Sequence, residues 1–164
     1  MIEQDICFLC RAGERTDEVC LALKCGKEPG EAKTGYECRI GPDEPVLDAV
    51  SRELWRTANV AVAARDVVQQ ALIRTYGTNG ELESVTRVFV ARHWINGPHA
   101  TKECYCEPQW FGSHRALFGE VSDTELVWLT QMIAGIGHRK FDAEIRYPLG
   151  SSSPAQVIFK EPSF

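Results

Sequence analysis

Seven cysteines are the side chains of this 164-residue chain with the clearest capacity for chemistry. Five of them lie within the first 38 residues, as two closely spaced pairs followed by a single residue. These five are Cys7, Cys10, Cys20, Cys25 and Cys38. Two thiolates separated by a tight turn, with a glycine such as Gly26 behind the second pair, can both point toward one tetrahedral metal ion. The spacing therefore predicts a structural zinc site held by four of the five thiolates.

The cysteine pairs resemble the zinc knuckles of zinc ribbons and treble clefs, over about a quarter of the chain. The resemblance implies zinc as a structural cofactor in a closed site that leaves no position for water. Five cysteines compete for four positions, so Cys38 and Cys20 are alternatives for the fourth ligand. The other three ligands are Cys7, Cys10 and Cys25. The alternative interpretation is that these cysteines are small buried hydrophobic residues.

The cysteine count also bears on the compartment. Because the number is odd, a framework of disulfide bonds is disfavoured and a reducing compartment is favoured. The acidic segment 1–5 and the short apolar runs that follow it are unlike a signal peptide or a membrane span. We therefore expect a cytoplasmic or nuclear protein that does not contact a membrane.

Charge and composition exclude further classes of protein. The chain has 18 basic and 23 acidic side chains, a net charge of −5, and 44% hydrophobic residues. These values are typical of a globular protein and lack the basic excess of a general phosphate binder. We expect a Cys-rich, zinc-binding segment over residues 1–42 and a body over residues 43–164.

The first predicted helix follows the Cys-rich segment. Asp43 can cap it and Pro45 can occupy its first turn, after which apolar residues recur every three to four positions as far as Tyr76. A helix of that length is long for a small domain, so a break near Asn59 is an alternative.

The second predicted helix has the clearest start in the sequence. Ser122 and Glu125 have the spacing of a capping box, in which each side chain satisfies a backbone amide of the first turn. Gly135 or Gly137 is expected to end this helix, because glycine favours the backbone conformation found just beyond helix C-termini.

Strands are predicted where β-branched and aromatic residues cluster or alternate with polar ones. The expected strands are 84–95, 101–111, 141–147 and 155–160, with a short one over 35–40. This order of elements predicts an α+β fold in which two helices pack on one face of a mostly antiparallel sheet.

Two further groups of residues could do chemistry in the second half. A second metal cluster is one interpretation of His99, Cys104, Cys106 and His114. Either cysteine could also act as a nucleophile beside one of these histidines or His93. The alternative is that both cysteines pack against a sheet, because residues two apart on a strand lie too far apart to chelate one ion easily.

Asp142 and Glu144 form the other group, since both share one strand face with Arg146. Two carboxylates beside a cation could hold Mg²⁺ and polarise a phosphate. The favoured interpretation is a solvated strand face, on which opposite charges attract each other.

Two surface features could bind a partner. Large aromatic rings lie in predicted turns, and such rings are frequent anchors at protein interfaces. The basic run 138–140 follows the second helix, where it could cap the helix or contact an anion or nucleic acid. The residues expected at a binding surface are Trp110, Phe111, Arg139 and Lys140.

The sequence thus predicts a small intracellular, zinc-braced binding protein that acts by contact with another macromolecule, with a protein partner favoured. The absence of a nucleotide-binding loop or a hydrolase motif makes an enzyme less favoured, and no catalytic residue is assigned. One alternative is an enzyme that uses a Cys/His site or an Asp/Glu metal site. The other is a zinc-dependent RNA- or DNA-binding protein.

Overall fold

A computed structural model describes residues 1–28, 30–101, 104–112, 114–135, 139–151 and 156–164. The elements in chain order are strands β1 (Ile2–Ala12), β2 (Asp17–Leu21) and β3 (Tyr36–Glu37), helix α1 (Val46–Ala58), strands β4 (Val67–Tyr76), β5 (Leu82–Ala91) and β6 (Gln109–Phe111), helices α2 (His114–Leu117) and α3 (Asp123–Gly135), and strands β7 (Phe141–Arg146) and β8 (Gln156–Lys160). In this described part of the chain, no helix combines the length and apolar character needed to cross a bilayer.

The strands form one eight-stranded mixed sheet. Its order is β6-β2-β1-β5-β4-β7-β8, and β3 pairs with β1 beside this path. Two of the pairs are parallel, namely β1 with β5 and β4 with β7. The α+β class is therefore confirmed, but the expectation of a mostly antiparallel sheet is wrong.

The N-terminal region is built from strands and is not a zinc knuckle. Residues Ile6 to Cys10 are five consecutive apolar residues, and all of them are buried. A continuous apolar run is typical of a central strand that is covered on both faces. β1 accordingly lies inside the sheet, with β2 on one side and β5 on the other.

Helices cover both faces of the sheet, and the expectation of helices on one face is wrong. Phe8 and Ile6 of β1 belong to one core cluster, together with Trp128 and Leu129 of α3. The residues between them in β1, such as Cys7, belong to the other cluster with residues of α1. This division follows from the alternation of side chains along a strand.

The first helix is shorter than its apolar stripe indicated. It ends at Asn59, which adopts the left-handed conformation with φ of 54° and donates its backbone N–H to the carbonyl of Trp55. Asparagine tolerates this conformation better than most residues do. The break near Asn59 is confirmed, whereas residues 67–76 form β4 instead of a continued helix.

The later strands follow the prediction more closely. β5, β7 and β8 are confirmed with shifts of a few residues at their ends. The predicted strand over 101–111 is reduced to β6, which pairs with β2 and not with β5. The reason is that β1 already occupies the free edge of β5 by parallel pairing.

The start of α3 is confirmed at the predicted cap. The backbone N–H of Glu125 donates to the side-chain oxygen of Ser122 over 3.2 Å. The Glu125 carboxylate does not complete the reciprocal half of the box, because it accepts a hydrogen bond from Thr34.

We expect Ser122→Ala to lower the free energy of unfolding by about 1 kcal/mol, because it leaves an amide of the first turn of α3 without its partner. Ser122→Asp retains an acceptor at the cap and should stay close to the parent protein. Urea denaturation followed by tryptophan fluorescence measures both. Equal stability of the alanine and aspartate variants would contradict this role for Ser122.

Candidate functional site

A polar cavity of about 360 Å³ opens on the sheet face that α3 covers. It lies over the beginnings of β1 and β5 and the end of β4, beneath the first two turns of α3. Six hydroxyl-bearing residues line this hydroxyl cavity. They are Thr34, Thr75, Ser84, Thr86, Ser122 and Thr124. Such a lining can donate and accept hydrogen bonds around a sugar or a heterocyclic base.

Glu125 is the chemically distinctive residue of the cavity. Its carboxyl oxygen Oε1 accepts a hydrogen bond from the Thr34 hydroxyl over 2.7 Å. Burial raises the pKa of Glu125 to about 7, against the opposing effect of the Thr34 hydrogen bond, and the nearby charge of Glu37 raises it further. The group therefore changes charge near neutral pH, and its protonated form can donate a hydrogen bond.

The cavity also has an aromatic wall and a charged rim. The Trp128 indole lines it and is fixed by an edge-to-face contact with Phe8, at 5.8 Å between ring centroids. Glu37 lines the rim, and its carboxylate lies 2.5 Å from the Lys24 ammonium. The cavity thus combines hydrogen-bonding groups, an indole and one cation within reach of its rim.

On the opposite face, α1 is attached to the chain before it by a network of charges. Arg52 donates two hydrogen bonds of 2.8 Å to the carboxylate of Glu44, and it also bonds to Glu53. Arg56 donates to the other carboxylate oxygen of Glu53 over 2.8 Å. Burial alone would raise the pKa of Glu53, but the hydrogen bonds and charges of both arginines outweigh burial and lower it.

The structure disperses the five predicted zinc ligands, and the zinc expectation is wrong. Cys7 and Cys10 are three residues apart on β1, so their side chains enter different core clusters on opposite faces of the sheet. Cys20 lies beside the Tyr36 hydroxyl, at 3.7 Å, and burial raises its pKa to about 11. Cys38 is also buried, and burial raises its pKa to about 12. These four cysteines are core residues, as the alternative interpretation held.

Cys25 lies with the later cysteines instead. Its backbone N–H donates to the carbonyl of Cys104 over 2.8 Å, and its side chain interacts with that of Cys106. Cys104 in turn accepts a hydrogen bond from Arg56 over 3.4 Å. Across the described residues, no three His, Cys, Asp or Glu side chains are grouped so as to hold a metal ion. The side chain of His114 lies outside what the structure describes.

The carboxylates of β7 are buried in ion pairs and do not form a solvated strand face. Asp142 is 2% exposed and accepts hydrogen bonds from Arg74 and Ser163. Glu144 is 9% exposed and pairs with Arg146 and Lys160. Their negative charges are balanced by cations within the fold.

The four expected binding residues lie in two separate places. Trp110 belongs to β6, where it stacks on Trp94 with ring planes 10° apart and carries the Arg11 guanidinium 4.1 Å from its ring. Phe111 follows it in the same strand and packs against a core cluster. Arg139 and Lys140 line a second cavity beyond the end of α3. The preceding residue, at position 138, lies outside the described part of the chain.

The sequence reasoning missed the hydroxyl cavity. Its serines and threonines come from four segments that are distant in the chain, so no local motif contains them all. Glu125 was read only as half of a capping box. One sequence pattern could have indicated the cavity. Small polar residues alternate with other residues at the start of β5, so that Ser84 and Thr86 lie on the same face of the strand.

The fold is that of the Nudix hydrolases. The MutT protein of Bacillus halodurans superposes with a TM-score of 0.71 over 99% of this chain and 100% of that one, at 14% identity. The Nudix domain of Shewanella oneidensis NrtR, solved with ADP ribose, has a TM-score of 0.60 over 80% and 85% at 13% identity. The Ap4A hydrolase of C. elegans has a TM-score of 0.54 over 81% and 99% at 12% identity. The sequence matches no protein-family model and no curated protein.

This similarity corrects the functional expectation. A zinc-braced protein that acts by contact with a protein partner was expected, and an enzyme was less favoured. Both expectations are wrong, because the compared structures that share this fold include an Ap4A hydrolase and a Nudix domain solved with ADP ribose, and because no zinc-binding group occurs among the described residues.

Hydrolases of this fold typically use Mg²⁺ or Mn²⁺. Such hard cations need several oxygen ligands, usually with more than one carboxylate. On α1 the carboxylate of Glu53 is already enclosed by the guanidinium groups of Arg52 and Arg56. Among the residues described here, the donor set does not fit a divalent metal centre.

We expect Glu125→Gln to stabilise the protein at pH 8 by on the order of 1 kcal/mol and to have little effect at pH 4.5. The folded-state pKa of about 7 lies above the ordinary value of 4.5, so the folded protein keeps a proton that the unfolded chain releases between these values. The contribution of Glu125 to the free energy of unfolding is therefore greatest at low pH and is lost as the pH rises through 7.

Chemical denaturation at both pH values tests this, because glutamine retains the acceptor for the Thr34 hydroxyl. Glu14→Gln, in the exposed turn between β1 and β2, is the matched control and should shift stability equally at both pH values. If Glu125→Gln changed stability equally at both pH values, the raised pKa of the buried Glu125 carboxyl would be contradicted.

Proposed function

We propose that this protein binds a nucleoside diphosphate derivative in the hydroxyl cavity and hydrolyses its phosphoanhydride bond. The binding half of the proposal rests on the cavity itself. The hydrolytic half rests on the fold, which the chain shares with the Nudix hydrolases.

The lining of the cavity is the observation that carries the proposal. Six hydroxyl groups, the Trp128 indole and a carboxyl group that titrates near neutral pH surround about 360 Å³. Several of these groups already have protein partners, as between Thr34 and Glu125, but each hydroxyl oxygen can take part in more than one hydrogen bond. A nucleoside offers ring nitrogens and sugar hydroxyls to them. A neutral Glu125 can donate to a ring nitrogen and accept from a neighbouring amino group.

The rim suits the phosphate end of such a ligand. Lys24 pairs with Glu37 at the edge of the cavity, and both side chains are about half exposed. An exposed ion pair of this kind is weak, so a phosphate group can replace the Glu37 carboxylate as the partner of Lys24. The ligand would then lie with its base beneath α3 and its phosphates toward Lys24.

The comparison structures favour this class of ligand. The Nudix domain of NrtR was solved with ADP ribose, and the C. elegans neighbour is named for hydrolysis of Ap4A. ADP ribose joins adenosine to a second ribose, and Ap4A joins two adenosines, in each case through phosphoanhydride bonds. In this chain the roles assigned to described residues are binding and orientation of the nucleoside, with no catalytic step assigned to a metal.

Binding is tested with ADP ribose by isothermal titration calorimetry at pH 7. Thr86→Val, which removes a cavity hydroxyl while retaining the side-chain shape, should raise Kd about fivefold to tenfold. Thr130→Val is the matched control, because the Thr130 hydroxyl bonds to the Leu126 carbonyl within α3 and does not line the cavity. It should leave Kd within twofold of the parent value.

Hydrolysis is tested separately by following release of AMP from ADP ribose and from Ap4A, with Mg²⁺ and with Mn²⁺. We expect turnover, with kcat/KM lowered by Thr86→Val by the same factor as the affinity. Binding without turnover would contradict the hydrolytic half of the proposal alone. Failure of ADP ribose to bind, or equal effects of the two valine variants, would contradict the site.

A further inference from the structure

A second cavity of about 520 Å³ lies at the opposite end of the same sheet face. It is bounded by the short turn before β4, by β4 and the end of β5, and by the two residues that immediately precede β7. Four cationic residues line this cationic cavity. They are Arg65, Arg92, Arg139 and Lys140. α3 separates it from the hydroxyl cavity, which lies under the other end of the helix.

The local charge is opposite to that of the whole chain. The protein carries a net charge of −5, whereas the described lining of the cavity has four cations and one acidic residue, Asp66, so that 4 − 1 = +3. Asp17 and Glu161, outside the lining, each lie near one of these cations, and the local charge stays positive when they are included, since 3 − 2 = +1. Elsewhere the acidic and basic groups of this protein are brought together in tight pairs, as between Arg74 and Asp142. A concentration of positive charge around a concave surface attracts anions.

Arg139 is the cation of the cavity that is held most loosely by an acidic neighbour. Its guanidinium lies 3.7 Å from Glu161, whereas that of Arg92 lies 3.4 Å from the less exposed Asp17. The pair of Arg139 and Glu161 is largely exposed, and exposed pairs of this length contribute little to stability. An anion with stronger acceptors can therefore compete for the Arg139 guanidinium.

The backbone that carries two of the cations is fixed in place. Gln70 of β4 is buried, and its side-chain amide donates to the carbonyl of Arg139 over 2.6 Å and to that of Gly135 over 3.4 Å. This attaches the segment of Arg139 and Lys140 to the sheet. A fixed backbone reduces the conformational entropy that this segment loses when a ligand binds.

We propose that the cationic cavity binds a small phosphate-bearing anion, at a site distinct from the hydroxyl cavity. Guanidinium groups present paired donors that match two oxygens of one phosphate group. Arg65, Arg92 and Arg139 approach from three different segments, which suits a ligand with more than one phosphate, such as a diphosphate. Val68 and Val90 provide an apolar floor for a carbon-containing remainder of the ligand.

A small ligand is favoured over nucleic acid on two grounds. The chain as a whole is acidic and lacks the basic excess that is typical of nucleic-acid-binding proteins. The volume of about 520 Å³ matches a small molecule and not a duplex groove.

The probe is inorganic pyrophosphate, titrated calorimetrically into the intact protein at 50 mM and 200 mM salt. We expect binding that weakens with salt, because the contacts are charged. Arg65→Ser and Arg139→Ser should each raise Kd at least tenfold. Arg15→Ser, in the exposed turn between β1 and β2, removes an arginine outside this cavity and should change Kd less than twofold. Melting temperatures of all variants establish that they fold.

Competition separates this site from the hydroxyl cavity. Adenosine, which has no phosphate, should leave pyrophosphate binding unchanged, and Thr86→Val should have no effect on it. Loss of pyrophosphate binding in Thr86→Val with retention in Arg65→Ser would overturn the proposal in favour of one shared site. Tighter binding of a single-stranded oligonucleotide than of pyrophosphate, abolished by the same arginine variants, would overturn it in favour of nucleic acid.

Discussion

Burial of β1 on both of its faces is the constraint on which the rest of this structure depends. Five consecutive apolar residues cannot be exposed on either side, so one helix must cover each face of the sheet. α1 covers the face of Cys7 and Leu9, and α3 covers the face of Ile6 and Phe8. Parallel pairing of β1 with β5 then places the beginnings of both strands at the same end of the sheet, where polar residues can line a cavity under α3.

The two faces differ in how charge is distributed. On the face of α1 the acidic and basic groups neutralise each other, since Arg52 and Arg56 enclose Glu53. On the face of α3, polar groups line two cavities, one rich in hydroxyls and one rich in cations. Both binding sites proposed above therefore lie on the sheet face under α3.

The sequence predicted those elements whose signals are local. The Ser122 cap, strands β5, β7 and β8, and the break at Asn59 that was an alternative to a longer helix all follow from neighbouring residues. It failed where the outcome depends on distant pairing. The helical spacing of apolar residues in α1 continues into β4, so the sequence predicted one long helix. The cysteine spacing was interpreted as a metal motif because β1 was not predicted as a strand. In a strand, Cys7 and Cys10 lie on opposite faces of the sheet. The cavities draw on many segments, so neither could be read from one stretch of sequence.

The distribution of thiols has a consequence for how the protein meets oxidants and alkylating reagents. Four cysteines are enclosed in the core, and burial raises the pKa of each, so they are protected from modification as long as the sheet is intact. Cys25, Cys104 and Cys106 share one accessible patch beside Arg56. Covalent attachment of a fluorophore or spin label is thereby directed to a single region of the surface.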